Sequence, residues 1–310
     1  MLAADQNPLK GIVLKLASVM AFMAMSALIK AAGQVPAGEI TFFRSFFAVF
    51  PILAYLAFTG TLRSAFVTHD LFGQIWRALV GVSAMTCFFY AITRLPLPEV
   101  TALGFASPLF VVVLSALFLG ETVRIYRWTA VVGGLVGVTI IAWPRFTAFD
   151  GNLGGEATLG AFATLAGAFL AALAMLFVRR LVKTETTQTI VLYFSLIAAL
   201  AALASLPFGW IMPTPQQAAL LIAAGCCGGI AQIMMTEGYR HAEASLLAPF
   251  EYASMLFAII IGYVAFDEVP SAYTLAGGLI VVAAGIFIIW RERQLGLKRG
   301  PIKAVATPQD

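Results

Sequence analysis

Charged side chains are scarce in this chain of 310 residues: 11% are Asp, Glu, Lys or Arg, whereas soluble domains carry about 25%. The apolar share is 61%, and the mean hydropathy is +0.94. A soluble fold of this size could not bury so much apolar surface, because its exterior needs many more polar side chains. The composition therefore excludes a soluble enzyme, a nucleic-acid-binding protein and a disordered protein.

Histidine and cysteine are also rare, with 2 and 3 residues. Cys87, Cys226 and Cys227 lie in apolar runs, where neither a disulfide framework nor a metal-ligand spacing follows. The sequence contains no GxxxxGK[ST] phosphate loop, so this chain does not consume ATP. Two isolated histidines and the lack of a carboxylate pair within a span argue against an intramembrane enzyme. We predict no cofactor and no metal.

Long apolar runs separated by charges are the dominant pattern. This pattern argues against a transmembrane β-barrel, because the strands of a barrel alternate apolar and polar residues. Each run suits one membrane-spanning helix of about 20 residues, and the Pro- and Gly-containing segment 207–215 divides the one run of double length. The fold class predicted is an all-α polytopic membrane protein with ten transmembrane helices, at 10–32, 38–58, 71–92, 97–119, 125–143, 158–181, 187–207, 216–238, 244–266 and 272–291.

The distribution of Lys and Arg predicts the orientation of these helices. If both termini are cytoplasmic, 15 of the 19 basic residues lie in cytoplasmic loops and flanks, as the positive-inside rule requires. The sequence thus favours a multi-pass protein of the bacterial inner (plasma) membrane. Its domains are a first repeat (1–145), a Gly-rich periplasmic connecting loop (146–157), a second repeat (158–293) and a cytoplasmic basic tail (294–310).

The two halves resemble each other at an offset of about 147 residues. Glu121 corresponds to Glu268 and Trp143 to Trp290, with the same Glu-to-Trp spacing of 22 in both halves. Five helices per half is an odd number, so the second copy enters the membrane from the opposite face. Such inverted repeats are typical of secondary transporters, whose substrates bind near the midplane between the repeats. A duplicated channel or membrane enzyme is the alternative, but the inversion favours alternating access.

The segments 88–144 and 238–292 resemble the EamA domain of the drug/metabolite transporter superfamily. The residues that carry this resemblance in the first half are Arg44, Tyr90-Ala91, Pro108 and Glu121, and those in the second half are Glu268 and Gly277-Gly278. The second half departs from the pattern, with Gly238-Tyr239 in place of Tyr-Ala and Met255 opposite Pro108.

The resemblance covers nearly the whole chain and implies a carrier of small organic solutes. Among family members the chain is similar to YddG-type amino-acid exporters, and also to riboflavin and S-adenosylmethionine carriers, particularly in the APFEY segment 248–252. Amino-acid export is the leading prediction and uptake of the other two solutes the alternative. Protons are a candidate coupling ion. Gly133-x-x-x-Gly137 and Gly225-x-x-x-Gly229 favour packing within one subunit and also allow a homodimer.

Polar residues inside the predicted spans are the candidate substrate site. Glu251 is the strongest, because a carboxylate in a span is costly; it either binds substrate or a proton, or pairs with Arg240, His241 or another buried polar group. Tyr252, Phe105 and Trp76 are candidates for stacking on an aromatic solute. The predicted substrate-binding residues are Gln232, Glu251, Tyr252, Ser107 and Pro108.

A second set is predicted to gate the path or to stabilise the structure. Arg44 either anchors a carboxylate or phosphate, or it snorkels to the outer interface or locks a helix end, which is the favoured interpretation. Tyr90, beside Phe88 and Phe89, is either an outer gate or an interfacial aromatic. The set comprises Tyr90, Arg44, Glu121 and Glu268. Glu237 is expected to pair with Arg240.

Overall fold

The computed structural model describes residues 7–118, 124–147, 155–207, 209–242 and 244–294, and these residues contain helices and no strand. A short 3₁₀ segment, Ala248–Tyr252, separates α11 from α12. The helices are α1 (Pro8–Ala31), α2 (Ala37–Phe58), α3 (Leu62–Ala65), α4 (Leu71–Ile92), α5 (Leu97–Gly104), α6 (Ala106–Phe118), α7 (Ile125–Thr147), α8 (Glu156–Leu181), α9 (Thr187–Leu203), α10 (Pro215–His241), α11 (Ala244–Leu247), α12 (Ala253–Phe266) and α13 (Ala272–Gln294).

The ten predicted spans all have helical counterparts. Within the described residues nine spans are long and apolar enough to cross a bilayer, and the tenth, α9, is an apolar helix of 17 residues. The chain is therefore a multi-pass membrane protein. The near end of the bundle is defined here as the end where α1 begins, and the far end as the end where α1 finishes.

Two spans differ from the continuous helices predicted for them. The fourth breaks at Phe105 into α5 and α6. The ninth consists of α11, the 3₁₀ segment and α12, because Pro249 has no backbone N–H to donate within a helix. Discontinuous helices at corresponding positions of two repeats are the common mark of a transporter binding region.

Side-chain caps fix where several helices begin. Asn7 accepts a hydrogen bond from the backbone N–H of Lys10 at the start of α1 (3.1 Å), and Asp70 accepts one from Gly73 at the start of α4 (2.8 Å). Thr214 and Gln217 form a reciprocal capping box at the start of α10. These caps satisfy backbone donors that would otherwise be unpaired at helix starts.

Helix contacts follow the symmetry of two inverted repeats. Helix α1 of the first repeat packs against α10 of the second. The equivalent of α1 in the second repeat is α8, and the equivalent of α10 in the first repeat is α4. These two helices also pack against each other. Glu39 accepts from the backbone N–H of Ile211 at the far end (3.2 Å). Its counterpart Glu185 accepts from the backbone N–H groups of His69 (2.5 Å) and Asp70 (2.7 Å) at the near end. The same type of contact thus recurs on opposite faces.

Glycines allow close approach between helices of the same chain. A Cβ at Gly225 or Gly229 would lie within 2.8 Å of backbone oxygens of α2, and a Cβ at Gly137 would lie 2.7 Å from the carbonyl oxygen of Gly277. The motif Gly225-x-x-x-Gly229 is therefore used for packing within one subunit. Gly133 has no such neighbour within 4 Å.

Candidate functional site

A cavity of about 370 Å³ lies among α1, α2, α4, α5 and α8. Its size is at the lower end of the roughly 300–1,000 Å³ of small-molecule pockets. The walls are mainly apolar, and the polar side chains among them are the hydroxyls of Ser26 and Thr101 and the guanidinium of Arg44. Phe88 and Phe89 of α4 also line it. The half-helix α5, which ends at the Phe105 break, forms one wall.

Arg44 is the charged residue of this cavity. It is buried, with 7% of its surface exposed, and its Nε has no hydrogen-bond partner. Gly228 of α10 lies beside it, since a Cβ there would be 3.4 Å from that nitrogen. Snorkelling to the interface does not fit this burial, because the guanidinium is held inside the bundle and its Nε makes no hydrogen bond. Anchoring of an anion and locking of a helix end stay predictions.

Arg77 of α4 lies close to Arg44. Its guanidinium stacks on the ring of Phe194 of α9 at 3.7 Å from the centroid, and Arg44 lies 5.9 Å from the same centroid. Nε and Nη1 of Arg77 are buried without a hydrogen-bond partner, and the two cations repel each other. Gly81 accommodates the ring, since a Cβ there would lie 2.9 Å from it.

The energetic cost of this arrangement is large. An ion buried in protein is destabilised by several kcal/mol unless a partner compensates it. A cation–π contact returns roughly 0.5–2 kcal/mol, so Phe194 does not balance two guanidinium groups. Among the residues described, neither arginine has an ion pair or a side-chain hydrogen bond.

At the near end, Glu251 forms an ion pair with Lys15 of α1. The distance from Lys15 Nζ to Glu251 Oε1 is 2.6 Å, and Tyr239 of α10 donates to the same carboxylate at 3.3 Å. Lys15 is 2% exposed and Glu251 49% exposed, so the cation is buried and the carboxylate is partly open. Glu251 therefore has a protein partner, Lys15, and not Arg240 or His241.

At the far end, Lys30 of α1 forms an ion pair with Glu268, which follows α12. Glu268 Oε2 also accepts from the backbone N–H of Leu97 at the start of α5 (2.8 Å), and Lys30 donates to the carbonyl of Leu95. Both side chains are largely buried. The single helix α1 is thus attached to the broken ninth span by one ion pair near each end.

The remaining predicted residues lie outside the cavity wall. Tyr252 packs its ring against Phe105, and Gln232 is half-buried in the middle of α10. Ser107 is half-buried and Pro108 exposed at the start of α6. None of the five residues predicted to bind substrate lines the cavity. They are Gln232, Glu251, Tyr252, Ser107 and Pro108.

The predicted aromatic and gate residues Tyr90 and Trp76 also lie outside the cavity wall. Tyr90 stacks under the guanidinium of Arg94 at 3.7 Å, while its neighbours Phe88 and Phe89 face the cavity. Trp76 lines a separate depression between α4 and α8. Glu121 lies outside the described residues.

The expected pairing of Glu237 with Arg240 is confirmed at 2.7 Å. The hydroxyl of Tyr55 also donates to Glu237. This carboxylate is therefore already engaged at the near end of α10.

The sequence reasoning missed the roles of Lys15, Arg77 and Phe194. The count of cytoplasmic basic residues includes Lys15 and Arg77 as flanking residues, although each lies several residues inside a predicted span. Counting helical rise from the span start places Arg77 about 9 Å into the membrane, and this signal was available in the sequence. Phe194 carries no such signal among 25 phenylalanines.

Apolar helices in two inverted repeats, with a broken span beside a cavity, define a polytopic membrane transporter. The EamA-like transporter family model matches residues 9–143 and 158–291. The chain belongs to the EamA-like transporter family.

Similar proteins of known role are also transporters. The chain is 33% identical to the pseudopaline exporter CntI of Pseudomonas aeruginosa over 285 residues, covering 89% of this chain and 94% of the relative. It is 27% identical to the S-adenosylmethionine uptake transporter of Rickettsia bellii, covering 84% and 86%, respectively. It is 29% identical to the riboflavin transporter of Vibrio cholerae, covering 94% and 97%. The chain is therefore a small-molecule transporter and not an enzyme.

A solved structure supports the fold. It matches with a TM-score of 0.63 and 19% sequence identity, and it covers 92% of this chain and 98% of its own. At this identity the match establishes the architecture alone.

Proposed function

We propose that this protein exports amino acids or closely related metabolites across the bacterial inner membrane by alternating access. The observation that carries the proposal is the cavity beside the broken fourth span, where helices of the first repeat meet α8 of the second. Export is supported by the 33% identity to a pseudopaline exporter. The distribution of basic residues supports a cytoplasmic near end.

The two ion pairs on α1 fit the roles of alternate gates. Lys15–Glu251 joins α1 to the ninth span at the near end, and Lys30–Glu268 joins the same elements at the far end. Alternating access requires that one end opens while the other stays closed. Lys30 also holds the carbonyl of Leu95, and Glu268 holds the backbone N–H of Leu97, so movement of both gate residues would free the start of α5, a wall of the cavity.

Uptake of S-adenosylmethionine or riboflavin is the second candidate function. The relatives of that description are 27% and 29% identical to this chain over most of its length. The two functions differ in direction as well as in solute, so one flux experiment separates them.

The test is solute flux in proteoliposomes that contain the purified full chain. Radiolabelled amino acids, S-adenosylmethionine and riboflavin are loaded inside or supplied outside, with protein-free liposomes as the control. We expect saturable movement of an amino acid, and counterflow when unlabelled solute is present on the opposite side. Flux of riboflavin or S-adenosylmethionine without amino-acid flux would support the second candidate, and no flux of any solute would contradict the proposal.

Proton coupling and dimerisation are separate proposals. A pH gradient of either sign across the same liposomes should accelerate flux in one direction if protons are coupled.

Cross-linking in membranes at the open Gly133 face of α7 tests the homodimer, because this glycine has no neighbour within 4 Å in its own chain.

A further inference from the structure

The unusual feature of the membrane interior is a pair of cations without an anion. Arg44 and Arg77 approach the same Phe194 ring, and buried guanidinium nitrogens on both have no partner. Arg44 reaches the cavity and is 7% exposed. Such a site is incomplete as it stands, because two like charges at close range repel each other in a medium of low dielectric constant.

The nearby carboxylates are already used by other groups. Glu237 binds Arg240 and Tyr55, while Glu39 accepts from the backbone of Ile211. Glu185 is engaged by Thr68, His69 and Asp70. None of these three carboxylates therefore neutralises the two arginines, and the ion pairs among the described residues include neither arginine.

The repeat symmetry indicates that the two arginines are not needed to build the fold. At the offset of 147 residues, Arg44 corresponds to Val191 and Arg77 to Ala224. The second repeat forms the equivalent helices, α9 and α10, with apolar residues at these positions. At these positions the cations occur in the first repeat only; Arg44 lines the cavity, and Arg77 stacks on the Phe194 ring that Arg44 also approaches.

We propose that Arg44 and Arg77 bind the carboxylate or phosphate group of the transported solute, with Phe194 as the apolar surface between them. A guanidinium presents paired N–H donors that match both groups. The apolar wall formed by Phe88, Phe89 and Met85 is then available to the rest of the solute. This inference rests on the proposed transport function and names the substrate class of the same cavity.

A free inorganic anion shares this chemistry, so the first experiment compares anions directly. Thermal unfolding of the purified full chain is followed by tryptophan fluorescence in sodium acetate, sodium phosphate or sodium chloride at equal ionic strength. The variants are Arg44→Gln, Arg77→Gln and Arg44→Lys, and the matched control is Arg63→Gln, an exposed cation of α3 at the near end.

We expect acetate and phosphate to raise the melting temperature of the wild type and of Arg63→Gln more than chloride does. Arg44→Gln and Arg77→Gln should lose at least tenfold in apparent anion affinity, and Arg44→Lys should lose less. Without anion, both Gln variants should melt at or above the wild-type temperature, because Arg44→Gln removes a buried charge and Arg77→Gln removes one of two cations that repel each other. A lowered melting temperature with an unchanged anion response would overturn the proposal in favour of a structural role.

The second experiment separates the solute from a bound counterion. In the proteoliposome assay, the transported amino acid competes with its own carboxamide, which keeps the amine and the side chain but removes the carboxylate charge. We expect the carboxamide to compete at least tenfold more weakly in the wild type and the difference to disappear in Arg44→Gln. Stabilisation by chloride alone, with equal competition by acid and carboxamide, would overturn the proposal.

The outcomes also distinguish this inference from the transport function itself. If a neutral solute is transported and Arg44→Gln does not change its flux, the transport function is supported and the anion site is overturned. Stabilisation by acetate that requires Arg44, with no flux of any solute, would retain the anion site and contradict the transport proposal.

Discussion

The rings of Phe105 and Tyr252 contact each other edge to face, with centroids 5.2 Å apart and an interplanar angle of 70°. The two residues are separated by the 147-residue repeat offset. Phe105 lies at the break between α5 and α6, and Tyr252 ends the 3₁₀ segment before α12. Equivalent break points of the two repeats therefore touch.

This contact predicts an energetic coupling between the two breaks. In a double-mutant cycle, Phe105→Leu and Tyr252→Leu should show a coupling free energy of about 0.5–1.5 kcal/mol, the range measured for aromatic pairs. Unfolding of the purified protein in detergent provides the measurement. Phe72→Leu, a change at an exposed residue of α4, should be additive with Tyr252→Leu; additivity of the Phe105 pair as well would contradict the coupling.

Two glycines on α7 predict opposite responses to the same substitution. A Cβ at Gly137 would lie 2.7 Å from the carbonyl oxygen of Gly277, so Gly137→Ala forces α7 and α13 apart. We expect a loss of about 1–3 kcal/mol in unfolding free energy, as for overpacked cores. Gly133→Ala meets open space and should be neutral or stabilise by up to about 1 kcal/mol. Equal effects of the two substitutions on thermal stability would show that the close helix crossing is absent.

The long apolar runs and the internal repeat predicted the fold. A chain segment that crosses a bilayer must form all its backbone hydrogen bonds internally, so each long apolar run becomes a helix. These runs placed all ten spans, but as continuous helices. The break at Phe105 was missed, because Phe105 has a normal backbone N–H and no local signal precedes it except Gly104. The partner of Glu251 was missed since Lys15 is 236 residues away in sequence, and such pairing depends on tertiary packing.

Orientation is tested by topology reporters. Alkaline phosphatase is active only outside the cytoplasm, so a fusion at Asp310 should be inactive and a fusion after Asn152, in the loop between the repeats, should be active. The reason is the excess of Lys and Arg on the near side. Activity at Asp310 with none at Asn152 would reverse the orientation, and with it the direction assigned to the two gates.

The far-end ion pair predicts a change in access to the cavity. Glu268→Gln keeps an acceptor for the backbone of Leu97 but removes the charge opposite Lys30. Even an ion pair exposed to solvent stabilises by up to about 1 kcal/mol, which corresponds to roughly a fivefold change in the open population, and Lys30 and Glu268 are largely buried. In a background without the three native cysteines, Ser26→Cys should therefore react about fivefold faster or more with an impermeant maleimide added at the far side.

The matched control for this measurement is Glu156→Gln, an exposed carboxylate at the start of α8 on the same face. It should leave the labelling rate of Ser26→Cys unchanged. Equal acceleration by both variants would indicate a general effect of surface charge and would remove Glu268 from the gate.

The near-end pair predicts that stability and transport can be separated. Glu251→Gln leaves the ammonium of Lys15, which is 2% exposed, without its counter-charge. Removing one partner of a fully buried pair costs about 3–5 kcal/mol; we expect less here, because Glu251 is 49% exposed. The melting temperature of Glu251→Gln should therefore fall, and the double variant Lys15→Met with Glu251→Gln should recover it because no unpaired charge remains.

Transport should not recover in the double variant if the pair is a gate, since a gate needs an attraction that can be broken and re-formed. We expect flux at least tenfold below wild type in both variants, equivalent to about 1.4 kcal/mol or more. Flux and thermal unfolding are measured on the same preparations, with Glu156→Gln as the control that changes neither. Wild-type flux by the folded double variant would show that Lys15 and Glu251 serve stability alone, because the near end would then open and close without them.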